Sequence, residues 1–155
     1  MAEDFGRRLP YLLRRVTGAL SQRLDEDLHE FRLTQSQLSA LALLSVEPEG
    51  LSGAELSIRS GVTPQSMSAA VGGLADRGLI VRTPHPTHGR ILVCRITPAG
   101  TDLLERVQRT TRDSSRYDAG LSAAQQEQLR GLLTYMMRAL DLYLPAPDAP
   151  DPQIE

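Results

Sequence analysis

Gly61 sits between two short segments that each carry a helix-starting signal, and this arrangement restricts the fold more than any other feature of the chain. Before it, Ser52 followed by Glu55 is a capping box, in which a hydroxyl and a carboxylate three residues apart satisfy stranded backbone amides reciprocally. After it, Thr63 offers a cap and Pro64 occupies the first helical turn, where a missing N–H is harmless. The second helix is expected to run to about Arg77 and to end at Gly78. Two β-rich runs follow, 79–83 and 91–96, around the tip PHPTHGR, whose prolines and glycine forbid a continuous strand. Helix, glycine turn, helix and hairpin in this order read as a helix-turn-helix with a wing, a shape suited to duplex DNA.

The two faces of the second helix differ sharply. Met67, Ala70, Val71 and Leu74 form an inner stripe that, with Leu56, Ser57 and Val62, locks the crossing of the two helices. Gln65, Ser68, Ala69 and Gly72 lie outside, with Pro64 and Ser66 near the start. A small polar face permits close entry to a major groove; Gln65 can meet adenine with two hydrogen bonds, and the serines can reach bases or phosphates. The competing reading is an exposed helix face with no partner. Gly72 and Gly73 cost about 1 kcal/mol each against Ala in a helix interior. Close approach to DNA or to another helix would explain them, and so would neutral drift.

Charge is uneven. Every one of the 17 basic residues is Arg, and the net charge is −2. Residues 59–95 hold Arg59, Arg77, Arg82, Arg90 and Arg95 against the single acid Asp76, so this segment is +4 and the remainder −6. A local basic face on an acidic body fits a phosphate-contacting surface better than a general polyanion binder. The all-Arg usage suits bidentate phosphate and guanine contacts, and equally reflects codon bias.

Long amphipathic helices flank this module. In 7–30, Leu9, Leu13, Val16, Leu20, Leu24 and Leu28 recur every three or four residues, with Pro10 early. Thr34 and Gln37 cap a helix over 35–46, which Pro48 and Gly50 stop. In the second β run, Leu92, Cys94 and Ile96 share one face and Ile91, Val93 and Arg95 the wetter one. Thr97-Pro98 starts a helix expected over 99–117, polar in its second half. Ser122 and Gln125 cap the last, with Leu129, Leu132, Leu133, Met136, Met137 and Leu140 on one side. One monomer has too little body to bury both outer stripes, so a twofold homodimer is expected. The proline-rich acidic tail, 144–155, reads as disordered.

The order of these pieces resembles the MarR (multiple antibiotic resistance regulator) family over residues 7–143. The residues that carry the likeness are Leu74, Arg77, Gly78, Leu79 and Ile80 at the helix-to-strand junction, Arg90 of the wing, and the run Ile96-Thr97-Pro98-Ala99-Gly100. The resemblance implies a mainly α fold with a small β-hairpin wing (α+β). It implies one domain: dimerisation helices in 7–33 and 98–143, and a winged helix-turn-helix module in 34–97. It further implies a homodimeric repressor of a pseudo-palindromic double-stranded DNA operator, with a recognition helix in each major groove and a wing arginine in the minor groove. The candidate DNA-binding residues are then Thr63, Pro64, Gln65, Ser66, Ser68, Ala69, Arg77, Arg82, His88 and Arg90. A small, often aromatic and anionic effector is implied between the dimer helices and the reading module. Arg14, Arg15 and Arg32 are candidates to meet its carboxylate there, or else plain surface charges. The family often has aspartates before the wing arginine; this chain has His85-Pro86-Thr87-His88-Gly89.

Other functions find less support. No nucleophile elbow, phosphate loop or metal signature is present, so no enzyme and no cofactor are expected. His85 and His88 lack further ligands for a metal. They suggest instead a pH-sensitive wing whose protonation tightens DNA binding. Cys94 lies on the apolar strand face and reads as a buried structural thiol rather than a redox sensor. The start MAEDFGRR has no apolar signal core, and no run is long enough to span a membrane, so the cytoplasm is expected. A winged helix that binds protein instead of DNA remains the chief alternative.

Overall fold

Side-chain caps set most of the helix starts. The computed structural model describes residues 2–112 and 114–144. Its helices are α1 (Ala2–Phe5), α2 (Leu9–His29), α3 (Gln35–Ser45), α4 (Gly53–Ser60), α5 (Pro64–Asp76), α6 (Pro98–Thr111) and α7 (Ala123–Ala139), with a 3-10 turn at Ser114–Arg116. Thr34, Ser52 and Ser122 complete reciprocal capping boxes, while Thr63 and Thr97 accept from backbone amides ahead of a proline. Three strands, β1 (Leu51–Ser52), β2 (Ile80–Pro84) and β3 (Leu92–Ile96), form an antiparallel sheet in the order β1-β3-β2. Ile80 pairs with Ile96 at the base of the hairpin and Pro84 with Leu92 near its tip.

The core is aliphatic and lies under the helix-turn-helix. Leu28 of α2, Leu41 and Leu44 of α3, Leu56 of α4, Met67 and Leu74 of α5, Ile80 of β2 and Val107 of α6 are fully buried and pack together. Each such side chain contributes roughly 1.5–3 kcal/mol through removal from water. The long outer helices do the opposite. Leu9 is 64% exposed, Val16 53% and Leu132 59%, and α7 has no buried residue. Apolar surface left in contiguous stripes marks an interaction face.

Four details differ from the sequence reading. A short helix, α1, precedes α2. Residues 51–52, read only as a cap, also add a third strand, because the extended backbone that presents a cap is already β in conformation. On β3, Val93 is buried and Leu92 is 46% exposed. Alternation fails there because β1 pairs with β3 only at Val93 and Cys94 and Gly50 lies against the Val93 side chain, while Leu92 lies beyond that pairing toward the tip. Finally, α6 ends at Thr111 rather than near Tyr117. The polar stretch after it turns back onto α2: Arg116 pairs with Glu26 at 3.2 Å and Asp27 at 3.3 Å, Arg23 donates to the Arg116 carbonyl, and the Tyr117 hydroxyl donates to Asp27. Burial, with the Asp27 bond second, pushes the Tyr117 hydroxyl up to about 12. Apart from Leu144, the tail expected to be disordered lies outside the described residues.

The join between module and outer helices is tightest at Gly100, in the first turn of α6. A Cβ there would lie 2.2 Å from the Leu79 carbonyl oxygen. Main chain cannot swing aside as a flexible side chain can. Gly100→Ala should therefore destabilise the fold by about 1–3 kcal/mol, read as a lower urea midpoint; an unchanged midpoint would show that the junction yields.

Candidate nucleic-acid interface

Two hydrogen-bonded turns aim the recognition helix. Gly61 ends α4 with φ 72°, a left-handed conformation that side chains resist, and so turns the chain at once. Ser57, buried at the crossing, donates through Oγ to the Val62 carbonyl at 2.6 Å and fixes the turn. Thr63 then accepts from the Ser66 amide at 3.2 Å and starts α5. Met67, Ala70, Val71 and Leu74 are buried, whereas Thr63, Pro64, Gln65, Ser66, Ser68 and Ala69 are exposed in one row. The partition follows the inner and outer stripes expected from sequence. Of the paired glycines, Gly72 has open space where a Cβ would point. Gly73 faces Gln37, whose amide nitrogen would lie 2.7 Å from a Cβ and whose oxygen accepts from the Thr34 amide. Of the two, only Gly73 faces a neighbour, and that neighbour is the end of the Gln37 side chain on α3.

The basic residues divide into committed and uncommitted groups. Arg59 pairs with Glu47 at 2.6 Å and lies over the Tyr143 ring, 5.2 Å from its centroid; the Glu47 bond raises its pKa further. Arg95 donates to the Thr83 hydroxyl across the hairpin at 2.9 Å. Arg77, expected among the DNA contacts, is engaged within the fold. Its guanidinium donates to the Arg32 carbonyl at 2.7 Å and the Phe31 carbonyl at 3.1 Å, so it ties the end of α5 to the turn after α2. Sequence could not separate these roles, since an exposed arginine at a helix end looks the same in both. The side chains of Arg82 on β2 and Arg90 at the wing tip are exposed and make no hydrogen bond or ion pair among the described residues. Arg82 borders the same cleft as Pro64 and Ser68 of the exposed row, and Arg90 directly precedes Ile91, which also lines it.

Between α5 and the wing lies a cleft of about 510 Å³, walled by Pro64, Val71, Ile91 and Leu92, with Arg82 at its edge. Cys94 also borders it, but burial pushes the thiol up, away from the reactive thiolate. The three arginines considered for an effector are not brought together. Arg14 lies over the Tyr11 ring near the start of α2, and Arg15 is exposed beside it. Arg32 lies beyond the other end of α2, about 22 Å or more away along the axis. At that end Arg106 lies over the Phe31 ring, and Arg106 and Arg109 line a hollow of about 330 Å³ with Glu30, Phe31 and Thr110. Sequence reasoning passed them over because a polar stripe on α6 carries no sign of what lies opposite. Among the described residues, no three His, Cys, Asp or Glu side chains are placed to hold a metal ion, and no helix is long and apolar enough to cross a membrane.

If Arg82 and Arg90 face DNA while Arg77 braces the fold, substitutions separate the roles. Arg90→Ala and Arg82→Ala should each weaken DNA binding about tenfold, flatten the salt dependence by about one counterion and leave the unfolding midpoint within error. Arg77→Ala should lower that midpoint by the equivalent of about 1.5–3 kcal/mol, the range for bonds from a charged donor. Equal effects of all three on both measurements would contradict the division.

Comparison with known proteins agrees with the architecture. A sequence profile described as the MarR family matches residues 33–91. Over 126 residues the chain is 35% identical to the HTH-type transcriptional repressor Rv2887 of Mycobacterium tuberculosis, spanning 81% of this chain and 90% of that protein. The crystal structure of that MarR family protein in complex with salicylic acid superposes with a TM-score of 0.68 at 34% identity, covering 83% of this chain and 96% of the other. The transcriptional repressor CouR bound to a 23-mer DNA duplex superposes with a TM-score of 0.73 at 25% identity, covering 89% of this chain and 95% of the other.

Proposed function

The chain belongs to the MarR family of transcriptional regulators, and on that footing we propose that it is a homodimeric repressor of a pseudo-palindromic DNA operator, released by a small effector. The observation that carries the reading is the exposed row Thr63, Pro64, Gln65, Ser66, Ser68 and Ala69, with the uncommitted arginines Arg82 and Arg90 on the adjoining wing. The row enters a major groove, with Gln65, Ser66 and Ser68 meeting base edges or phosphates and Thr63, Pro64 and Ala69 allowing close approach. Arg90 and His88 at the wing tip meet the flanking minor groove, where a narrow groove concentrates negative potential. The exposed apolar stripes of α2 and α7 are the surfaces that pair two copies. Pairing sets the two recognition helices about one DNA turn, ~34 Å, apart.

For the effector, the cleft between α5 and the wing has the most suitable chemistry: apolar walls with one cation at the edge. It suits a small aromatic acid, with Arg82 meeting the carboxylate. An acid seated there occupies the space between the two DNA-contacting elements and holds them at a separation that need not match the grooves. The DNA is released to the extent that the acid prefers that form. Salicylic acid, the compound bound by the M. tuberculosis relative, is a natural first member of a screen. A redox trigger finds no support in the buried Cys94 thiol.

Selection of bound fragments from random genomic DNA should enrich an inverted repeat at moderate salt, with affinity falling steeply as salt rises. Calorimetry on the DNA-free protein should then find an aromatic acid whose binding weakens in Arg82→Ala and is unchanged in Arg106→Ala. No enriched fragment and a flat salt response would favour a protein-binding winged helix. Weakening in Arg106→Ala alone would move the effector to the hollow beside Phe31.

A further inference from the structure

The wing tip is built around one histidine ring. His85 is half-buried, and its Nδ1 lies 3.2 Å from the Thr87 amide nitrogen and 3.3 Å from that of His88, with the Thr87 hydroxyl at 3.1 Å. A backbone N–H can only donate, so Nδ1 must accept and the ring proton must sit on Nε2. The main chain of the same residue donates to the Ile91 carbonyl at 2.8 Å and closes the hairpin. The Ile91 amide in turn donates to the His88 carbonyl at 2.8 Å, making a tight turn with Gly89 and Arg90 in the middle. The ring thus fixes the amide of the residue from which the Arg90 turn departs. Asn and Asp do this job in ordinary turns, through a side-chain oxygen that accepts from amides further along. Here an imidazole nitrogen does it.

We propose that His85 is the positioning residue for the wing arginine, and that the wing holds Arg90 in its DNA-reading position only while His85 is neutral. Protonation places a hydrogen on Nδ1, facing two amide hydrogens that it formerly accepted, and the turn that carries Arg90 is released. This reverses the direction expected from charge alone, in which protonated wing histidines tighten binding. Both effects act, and they act on different quantities. Added positive charge raises affinity for any duplex, whereas loss of the turn removes the sequence-dependent placement of Arg90. The charged or titrating groups around the ring are few. His88 lies in the same tip with ring centroids 5.4 Å apart. Glu55, in the first turn of α4, interacts electrostatically with His85 from outside the wing. Arg95, on the strand beyond, directs its guanidinium to Thr83.

The proposal rests on the DNA-binding reading, so the test has an arm that needs no DNA. In the free protein at pH 7.5, nitrogen NMR should show His85 Nδ1 as the unprotonated acceptor, with slowed exchange of the Thr87 and His88 amides. That slowing should vanish as His85 titrates. A protonated Nδ1 at pH 7.5, or amide exchange that ignores the titration, overturns the proposal whatever the DNA result. In the DNA arm, the ratio of specific to nonspecific affinity should fall about tenfold from pH 7.5 to 5.5 in the wild type. It should stay within twofold in His85→Asn, which keeps an acceptor that does not titrate, and be low at every pH in His85→Ala. Parallel pH profiles for wild type and His85→Asn would refute the role of the ring. Absence of any specific fragment would instead remove the DNA reading itself, and the NMR arm would still show whether His85 holds the tip.

Discussion

Three consecutive residues between the recognition helix and the wing hold the reading module to the outer helices. Arg77 reaches back to the carbonyls of Phe31 and Arg32 beyond the end of α2. The Gly78 carbonyl accepts from the Thr97 hydroxyl at 2.7 Å, and the Leu79 carbonyl accepts from the Thr97 amide at 3.1 Å. Gly100, one turn into α6, is the residue that lets that helix come down on Leu79. Two outer helices, the base of the wing and the end of α5 therefore meet at one short segment of main chain. Rotation of the reading module against α2 or α6 must break these bonds. A change in the orientation of the reading module relative to the outer helices of its own chain has to pass through this junction.

The arginines show how one residue type serves two purposes. Arg59, Arg77 and Arg95 have partners inside the fold, and Arg116 pins the connection after α6 onto α2. Such bonds from a charged donor to carbonyls or carboxylates are stronger than neutral ones and suit positions where main chain must be held. Arg82 and Arg90 are left facing solvent beside a row of small side chains. The net positive charge of residues 59–95 overstates the charge left free at the surface, because three of its five arginines, Arg59, Arg77 and Arg95, are engaged within the fold.

Periodicity and capping made the helices legible. Thr34, Ser52, Thr63, Thr97 and Ser122 each announced a helix that begins one residue later, because a local hydrogen bond decides a helix start. The recognition face was legible for the same reason: a 3.6-residue period separates Met67 and Leu74 from Gln65 and Ser68 without knowledge of the rest. What escaped was set by contacts distant in sequence. The burial of Val93 depends on β1, about 40 residues earlier; the shortened α6 depends on Asp27 and Glu26; and the commitment of Arg77 depends on carbonyls at Phe31 and Arg32. The role of the His85 ring is local, but composition gives no hint of it, since a turn-organising imidazole and a solvated one read identically.

One chain presents one recognition helix and one wing arginine, so reading of the proposed operator requires two copies placed by the outer helices. Hydroxyl-radical footprinting on a selected DNA fragment tests this most directly. It should show two protected patches on each strand, related by a twofold axis and centred about one helical turn apart, with minor-groove protection beyond them that disappears in Arg90→Ala. A single patch without symmetry, or flanking protection that survives the loss of Arg90, would contradict the account.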